Sequence, residues 1–434
     1  MSIVDRVVAS YFRVISGELV IGGVPVSEIA NDFGTPTFVY DGSVLDASWD
    51  RLRRALPDRV EVFYSVKANP NRVILKHFLE RGAGLEIASG GELSQALAAG
   101  ASPERIVFAG PGKSETETRE FLSIGGGEIH VESMNEAERL GRLAAELGVV
   151  VRAAVRVNPT AEALGGAMRM GGKAAPFGVD EESMEDVVDV LMSARHVSLA
   201  GVHIFAGTQI LDADVLAVQY RKCLEIARKV ARRIDAPLAT VDFGGGLGIP
   251  YFDGEEALDI ERFGRLVAEL LDAIDDEHLR ETRFLVEPGR YLAGEAGIYL
   301  CRIADVKESR GKRFIVLDGG MHHHLAASGN LGQVVKRNFP IAVVNRMEHA
   351  DVSPAEVVGP LCTPLDTLAR KLPLPAAEVG DLVGVFQSGA YARAASPLGF
   401  LSHPSPAEIF VADGEARLVR RRGTYADLTH DLID

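Results

Sequence analysis

The sequence predicts an α/β protein in which a closed (β/α)8 barrel is followed by a smaller β domain. Three observations support this fold class. Short apolar runs rich in β-branched residues alternate with longer amphipathic segments through the middle of the chain. Polar residues follow the ends of these runs, where barrel proteins place their chemistry. After about residue 300 the helical periodicity gives way to strand-like runs separated by Gly and Pro turns.

Eight strand-like runs account for the predicted barrel. They are VEVFYSV (60–66), GLEIAS (84–89), RIVFAG (105–110), EIHVES (128–133), VVRAAVRVN (150–158), GVHIFAG (201–207), ATVDFGGG (239–246) and FLVEPG (284–289). Between them, segments 182–196 and 212–234 have the apolar spacing of amphipathic helices. Eight such units over roughly 230 residues favour a closed barrel over an open doubly wound sheet.

The same patterns suggest domain boundaries. We expect the barrel to span residues 36–295 and the C-terminal β domain to span residues 296–434. The short runs in residues 1–35, such as ELVIGGVPV, are expected to complete the β domain. At 434 residues the chain is long enough for a large core and more than one domain.

Composition and charge exclude several classes of protein. With 47% hydrophobic and 25% charged residues the composition is that of a soluble protein, and no apolar run is long enough to cross a bilayer. A net charge of −15 argues against nucleic acid as a partner. Three scattered cysteines (Cys223, Cys301 and Cys362) are too few for a disulfide framework, so we expect a cytoplasmic location.

Lys67, in FYSVKANPN (63–71), directly follows the first barrel strand. Its ammonium could simply reach solvent, as lysines usually do. Alternatively, a desolvated lysine at this position has a lowered pKa and can act as a nucleophile or bind an aldehyde covalently. An aldehyde cofactor would also need a phosphate site, a partner for a ring nitrogen and a group stacked on the ring.

The glycine run DFGGGLGIP (242–250) is the candidate phosphate site. Gly244, Gly245 and Gly246 follow a strand and expose backbone N–H groups that no side chain obstructs. A dinucleotide site is the alternative, but the spacing is not G-x-G-x-x-G and the run follows the seventh strand.

Glu287 and His203 are the candidate ring contacts. A carboxylate such as Glu287, in VEPGRY (286–291), can keep a pyridine nitrogen protonated, although it could instead pair with Arg290. His203 could stack on a ring face, although an ordinary histidine at the rim is the alternative.

Two further stretches carry reactive side chains. Cys362 in GPLCTPLD (359–366) could donate a proton, although a structural cysteine is commoner. His322 and His324 in MHHHLA (321–326) share one face of a strand, but without acidic or cysteine ligands at a useful spacing we expect no metal. The role of His322, His323 and His324 is left open.

Taken in order, these motifs resemble those of the fold-type III pyridoxal-phosphate-dependent decarboxylases. The matching stretches are FYSVKANPN, GLEIASGGEL, RVNP, HIFAGTQ, GGGLGI, EPGR, GPLC-x-x-x-D and SGAY, between about residue 30 and residue 425. Diaminopimelate and ornithine decarboxylases are the most similar, and alanine racemases, which share the barrel and β domain, are more distant. The resemblance implies a homodimeric, pyridoxal 5′-phosphate-dependent carboxy-lyase with active sites at the subunit interface.

The resemblance also implies a role for each site residue. Lys67 would bind the cofactor covalently, His203 would stack on its ring, and Glu287 would contact the ring nitrogen. The phosphate would be held by Gly244, Gly245, Gly246, Gly289, Arg290 and Tyr391. Cys362 would return a proton to the substrate carbon, and Cys362, Thr363 and Asp366 would contact substrate in the neighbouring subunit's site.

Departures from the family pattern bear on the substrate. Thr363 stands where diaminopimelate and ornithine decarboxylases usually carry an acid that meets a distal amine. The Arg-Pro segment of the diaminopimelate enzymes is replaced by the stretch at 322–330, and the Asn-Tyr-Asn run by the stretch at 396–406. We therefore expect a substrate without a free distal amine.

The CTPLD and FLSHP variants resemble decarboxylases of secondary-metabolite and polysaccharide gene clusters, some of which act on carrier-tethered amino acids. The alternatives are a diaminopimelate decarboxylase proper, a racemase on the same fold, and a non-catalytic pyridoxal-phosphate-binding regulator.

Overall fold

The structure is a computed structural model that describes residues 2–160, 174–205, 207–348 and 351–433. Residues 161–173, within the expected barrel domain, and Ala206, within the predicted strand 201–207, lie outside the described residues. The α-helices are α1 (Ile3–Tyr11), α2 (Val26–Phe33), α3 (Gly42–Ala55), α4 (Arg72–Leu79), α5 (Gly90–Ala98), α6 (Glu115–Ser123), α7 (Met134–Leu147), α8 (Met184–Ser193), α9 (Ala213–Ile234), α10 (Ile260–Asp272) and α11 (Arg290–Ala293).

Twenty-one β-strands lie within the described residues. They are β1 (Arg13–Ile15), β2 (Glu18–Ile21), β3 (Val24–Pro25), β4 (Thr37–Asp41), β5 (Val60–Ser65), β6 (Gly84–Ile87), β7 (Ile106–Phe108), β8 (Glu128–Val131), β9 (Val151–Asn158), β10 (Val179–Asp180), β11 (Val197–His203), β12 (Thr240–Asp242), β13 (Arg283–Val286), β14 (Gly297–Ser309), β15 (Lys312–Leu317), β16 (Ile341–Val343), β17 (Val352–Val358), β18 (Thr367–Pro375), β19 (Leu382–Val385), β20 (Ala407–Ala412) and β21 (Glu415–Arg420).

One structural unit comprises Asp50–Ile249 and Ala257–Tyr291 and contains a closed parallel barrel. Strands β5, β6, β7, β8, β9, β11, β12 and β13 pair in that order, and β13 pairs with β5 to close the ring. The predicted eight-stranded barrel is thus confirmed. The short strand β10 is an addition that pairs in parallel with β9 alone.

The barrel strands are short and almost entirely buried, which is why they read as continuous apolar runs. Phe63, Val107 and Leu285 form a buried cluster of this unit. Serine side chains begin the helices that follow β6 and β8: the Oγ of Ser89 accepts from Glu92 N, and the Oγ of Ser133 accepts from Glu136 N. The ends of β6 and β8 are therefore followed at once by a fixed turn, which holds the neighbouring polar residues at the carboxyl-terminal rim.

The other unit comprises Met1–Trp49, Pro250–Glu256 and Leu292–Asp434 and is built on β-sheet. Its main sheet has the order β18-β17-β15-β14-β4-β20-β21, with β19 pairing β14 and β16. Strands β1, β2 and β3 form a small separate sheet. Strand β4 lies in the range expected for the barrel, yet it pairs antiparallel with β14 and parallel with β20.

Over the described residues, no helix combines the length and the apolar character needed to cross a membrane.

Candidate active site

The polar residues singled out in the barrel lie at the carboxyl-terminal ends of its strands. Lys67 is in the 3-10 turn Val66–Ala68 that follows β5, and Glu86 lies in β6. His203 ends β11, and Glu287 directly follows β13. Because parallel strands of a barrel end at one rim, these side chains face a common site.

Lys67 is held by a buried acid. Its Nζ lies 3.1 Å from Oε2 and 3.2 Å from Oε1 of Glu86, and the Ser65 hydroxyl donates to Glu86 Oε2 at 2.5 Å. The Glu86 side chain is 1% exposed, whereas the Lys67 side chain is 44% exposed. Of the two alternatives for Lys67, this geometry is nearer the solvent-reaching one, because Lys67 follows the strand end and its ammonium is partly exposed and ion-paired.

The glycine run forms a turn that only glycine can make. Gly244 and Gly246 have φ values of +69° and +103°, in the region that other residues rarely adopt. A Cβ would come within 2.6 Å of Ile204 O at Gly244 and within 2.6 Å of Glu287 O at Gly245. The backbone is thus bare at this rim, which is what an anion site made of N–H groups requires.

Gly289 serves a different purpose. A Cβ at this position would lie 2.7 Å from the Cβ of Ala68 and 3.1 Å from the Cβ of Ser65. Glycine therefore allows the EPGR turn to pack against the turn that carries Lys67. Arg290 follows as the first residue of α11.

Behind the rim lies a buried cluster that sequence reasoning recognised only in part. His203 Nε2 is 3.4 Å from Glu287 Oε2, and the His203 ring lies 4.4 Å from that of His130. One ligand-type atom from each of His130, His203, Asp242 and Glu287 lies within 4.8 Å of the others, a spacing compatible with a metal ion. His130 and Asp242 were not predicted, because they meet the other two only when the barrel closes.

The two acids of the cluster, Asp242 and Glu287, have pKa values shifted in opposite directions. Burial raises the pKa of Asp242 well above its usual value, and the neighbouring Glu287 adds to the effect. Burial alone would also raise the pKa of Glu287, but its contact with His203, together with His130 and Lys67, outweighs burial and holds the pKa below its usual value. Burial lowers the pKa of His203 to about 4. The lowered pKa of Glu287 makes it anionic at neutral pH, and its buried Oε1 has no hydrogen-bond partner within the described part of the chain.

Phe205 is a rim residue that sequence reasoning missed. Its ring centroid lies 5.9 Å from Lys67 Nζ and 6.0 Å from Arg156 Cζ, and its ring is next to Gly245. His203, in contrast, is 1% exposed and packs on His130. The sequence could have indicated Phe205, because it is an aromatic residue two positions after His203, which ends a strand. Both positions therefore lie at the rim.

Cys362, Thr363, Asp366 and Tyr391 belong to the β unit. Cys362 is an exposed free cysteine in the turn between β17 and β18. Asp366 is buried, and its oxygens accept from Met321 N at 2.6 Å and Leu361 N at 2.9 Å. Burial raises the pKa of Asp366, against the effect of these two N–H groups. Tyr391 has a φ of +52° in the SGAY turn.

The three consecutive histidines are buried. His323 hydrogen-bonds the Tyr299 hydroxyl at 2.9 Å and Pro404 O at 3.1 Å, and His324 hydrogen-bonds Ser388 Oγ at 2.9 Å. The His322 ring lies 3.7 Å from that of His323 and 4.9 Å from that of His403. The contacts of His323 and His324 are those of core residues.

A closed barrel with a rim lysine, a bare glycine turn and a buried anionic glutamate defines a class of enzyme that binds a phosphorylated aldehyde cofactor. Residues 43–294 match the pyridoxal binding domain of the pyridoxal-dependent decarboxylases. The chain belongs to this family.

Relatives extend the similarity over nearly the whole chain. The L-glutamyl-[BtrI acyl-carrier protein] decarboxylase of Niallia circulans is 36% identical, over 93% of this chain and 95% of that protein. The diaminopimelate decarboxylase of Zymomonas mobilis is 32% identical, over 97% of this chain and 98% of that protein.

Solved structures agree on the fold. The structure of AQ1208 from Aquifex aeolicus matches with a TM-score of 0.87 and 30% identity, over 98% of both chains. The structure of diaminopimelate decarboxylase from m. jannaschii in complex with L-lysine matches with a TM-score of 0.91 and 24% identity, also over 98% of both chains, and shows the fold alone.

The cofactor of the family is pyridoxal phosphate, and the residues present fit it. Lys67 offers an amine, the bare turn Gly244–Gly246 can accept a phosphate, and the buried Oε1 of Glu287 has no partner among the described residues. The predictions of a pyridoxal-phosphate-dependent decarboxylase and of its fold class are confirmed.

Proposed function

We propose that the protein removes the α-carboxylate of an amino acid whose distal carboxyl group is linked to a carrier protein. One observation carries the proposal: Thr363 stands beside Cys362 where an acid would meet a distal amine. The Thr363 hydroxyl accepts a hydrogen bond from Leu365 N at 3.3 Å, so it stabilises the turn that contains Cys362. The relative that acts on a glutamyl carrier protein supports the same substrate class.

The chemistry limits how such a substrate can be attached. When bound, pyridoxal phosphate supplies an aldehyde that captures the substrate amine and a ring that accepts the electron pair of the breaking C–C bond. The substrate must therefore keep its α-amine and α-carboxylate free. A carrier can then be joined only through the side chain. An amino acid joined in this way through a distal carboxyl group has no free distal ammonium, so it does not need an acid at the position of Thr363.

The residues of the barrel rim have separate tasks in this proposal. Lys67 holds the cofactor and is oriented by Glu86. Glu287, anionic at neutral pH, keeps the ring nitrogen protonated. The N–H groups of the glycine turn bind the phosphate, and Arg290 assists them.

Two residues are candidates for stacking on the cofactor ring. The resemblance implies His203, but that side chain is buried in contact with His130 and Glu287. The Phe205 ring lies beside Lys67 and Gly245 instead. The contacts support Phe205 as the stacking group and His203 as the residue that holds Glu287 in its charged form.

The protein would act as a homodimer in which Cys362 completes the neighbouring subunit's site and returns a proton to the substrate carbon. The exposure of Cys362 supports this assignment. Asp366 is occupied by two backbone N–H groups, so its contacts favour a role in shaping the Cys362 turn. A reactive thiol must stay reduced, which fits a cytoplasmic location.

The test compares three substrates at equal concentration: L-glutamyl-BtrI carrier protein, free L-glutamate and meso-diaminopimelate. We expect kcat/KM for release of carbon dioxide to be about a hundredfold or more higher for the carrier-linked substrate. Formation of lysine from meso-diaminopimelate at about 1–10³ s⁻¹ would instead identify a diaminopimelate decarboxylase. Bound cofactor with no turnover of any substrate would identify a regulator.

A further inference from the structure

Asp242 is a buried acid to which the proposed function gives no task. It is the last residue of β12, and its side chain is fully buried. Its Oδ1 accepts a hydrogen bond from Gly244 N at 2.8 Å, in the turn proposed to bind phosphate. Glu287 N donates to Gly244 O, also at 2.8 Å. Gly244 is therefore held between Asp242 and the residue proposed to contact the ring nitrogen.

The carboxyl groups of Asp242 and Glu287 also contact each other directly. The two side chains are hydrogen-bonded to one another. Because an ionised carboxylate has only acceptors, this bond requires a proton on one of the two acids. Two carboxylates that share a buried site also cannot both be ionised without a large cost in free energy. The pair therefore holds a proton.

The contacts of Asp242 indicate that it carries this proton. Its second oxygen, Oδ2, is buried and has no hydrogen-bond partner among the described residues. Nε2 of His130 is 3.9 Å from this oxygen, which is too long for a hydrogen bond, and lies nearer to Oε1 of Glu128 at 3.5 Å. A buried ionised oxygen without a donor is costly, whereas a hydroxyl at the same position becomes a donor itself.

Three further titratable groups lie near Asp242, and none of them is a cation. Glu128 is an acid whose charge raises the pKa of Asp242. Tyr220 and Cys223 are buried, and burial raises the pKa of both groups, so both are neutral at pH 7. Cys223 Sγ donates to the backbone carbonyl of Asp242 at 3.6 Å, so it leaves the side chain of Asp242 without a donor.

Glu287 has the surroundings of an anion instead. His203 Nε2 lies 3.4 Å from Glu287 Oε2. The two acids of the pair therefore differ, because Glu287 has a histidine beside its carboxyl group and Asp242 has a further acid nearby.

We propose that Asp242 is protonated in the native enzyme and donates its Oδ2 hydrogen to Glu287, as a positioning residue for the acid that contacts the cofactor ring. This inference rests on the role proposed for Glu287. The hydrogen bond stabilises the Glu287 anion and makes it a weaker base. A weaker base leaves the proton on the ring nitrogen, where it is needed for the ring to accept electrons.

A metal ion held by His130, His203, Asp242 and Glu287 is the alternative. Metal ligands of this kind must be deprotonated, so both carboxyl groups would be ionised and the hydrogen bond between them would be lost. The direct contact between the two acids therefore favours a proton.

The first experiment detects the proton itself and needs no turnover. The infrared difference spectrum between cofactor-loaded wild type and Asp242→Asn at neutral pH should contain the carbonyl band of a protonated carboxylic acid, and this band should shift in deuterated water. The matched control is Asp189→Asn, an exposed acid of α8 paired with Arg233, which should change carboxylate bands only. Carboxylate bands alone for Asp242→Asn would overturn the inference, as would one equivalent of zinc bound by wild type and not by this variant.

The second experiment follows the ring nitrogen by magnetic resonance with isotopically labelled cofactor. In Asp242→Ala, Glu287 loses its donor and becomes a stronger base, so we expect the proton to shift from the ring nitrogen towards Glu287 and kcat to fall about tenfold or more. In Asp242→Asn, the amide still accepts from Gly244 N and donates to Glu287, so we expect the ring to stay protonated and kcat to recover to within about threefold of wild type.

Two results would show that Asp242 only shapes the turn or acts as an anion: a fully protonated ring in Asp242→Ala, or an Asp242→Asn variant as slow as Asp242→Ala. If wild type does not decarboxylate glutamyl-BtrI, the proposed function fails, while the infrared band and the nitrogen signal still decide the inference. An unprotonated ring nitrogen in wild type would remove the role proposed for Glu287, and the inference with it.

Discussion

The ammonium of Lys67 and the carboxylate of Glu86 form an ion pair, with Nζ 3.1 Å from Oε2. Glu86 is itself fixed by the Ser65 hydroxyl, so the acid holds the lysine over the rim of the barrel. Glu86 thus fixes the position of Lys67, the residue proposed to bind the cofactor.

Lys67→Ala should remove the covalent link to the cofactor. We expect the absorbance band of the bound cofactor to be lost and carbon dioxide release to fall by at least about 10³-fold. Lys67→Arg is the matched control, because it keeps the charge beside Glu86 but not the nucleophilic amine, and it should be equally inactive. Retention of the band in either variant would show that another residue binds the cofactor.

Glu287→Gln should bind the cofactor but fail to keep its ring protonated. We expect kcat to fall about 10²–10³-fold, because a buried charge that stabilises the transition state is lost. Glu61, paired with Arg283 near the start of β5, offers a control: Glu61→Gln should leave kcat unchanged. Equal effects of the two substitutions would mean that Glu287 acts only through stability.

Phe205→Leu should weaken cofactor binding several-fold, since an aromatic face contributes about 0.5–1.5 kcal/mol beyond its area. Absorbance titration of the apoenzyme gives the Kd. His203→Asn is the comparison, and we expect it to alter the pH dependence of the cofactor spectrum more than the Kd, because His203 contacts Glu287. The reverse pattern would restore His203 as the stacking residue.

Cys362→Ala should slow return of the proton, with turnover reduced about 10²–10⁴-fold. Mixing it with Lys67→Ala tests whether subunits share sites. If they do, random reassociation of the two inactive variants should recover roughly a quarter of wild-type activity, because half of the dimers then contain one intact site. No recovery after confirmed subunit exchange would place both residues in one subunit's site.

His322→Phe should make the protein less sensitive to acid. Burial lowers the pKa of His322 from 6.5 to about 4, so the unfolded chain binds more protons than the native chain between these values. Stability therefore falls as the pH falls from about 6.5 to about 4, and this contribution is lost in the variant. Urea midpoints measured across that range should show a shallower slope, with stability at pH 7 unchanged or higher. An unchanged slope would contradict the assignment.

The sequence was most informative about the barrel. Its strands, such as β5 and β13, are buried on both faces and therefore appear as uninterrupted apolar runs. The position of β4 could not be read in this way, because its partners β14 and β20 lie hundreds of residues away. Local patterns do not encode such pairings.

The site was predictable in its chemistry and less so in its geometry. Lys67 and Glu287 stand out because charged residues directly follow apolar strands. The cluster of His130 and Asp242 with Glu287 was missed, since β8, β12 and β13 bring these residues together only in three dimensions. The preference for Phe205 over His203 likewise depends on side-chain directions.

The central claim is that the enzyme breaks the bond between the α-carbon and its carboxylate. The most direct test is the mass of the carrier-bound product after reaction of L-glutamyl-BtrI in deuterated water. We predict a carrier adduct lighter by one carbon dioxide and containing one solvent-derived deuterium on carbon. An adduct that retains the carboxylate but exchanges its α-hydrogen would contradict the account and identify a racemase.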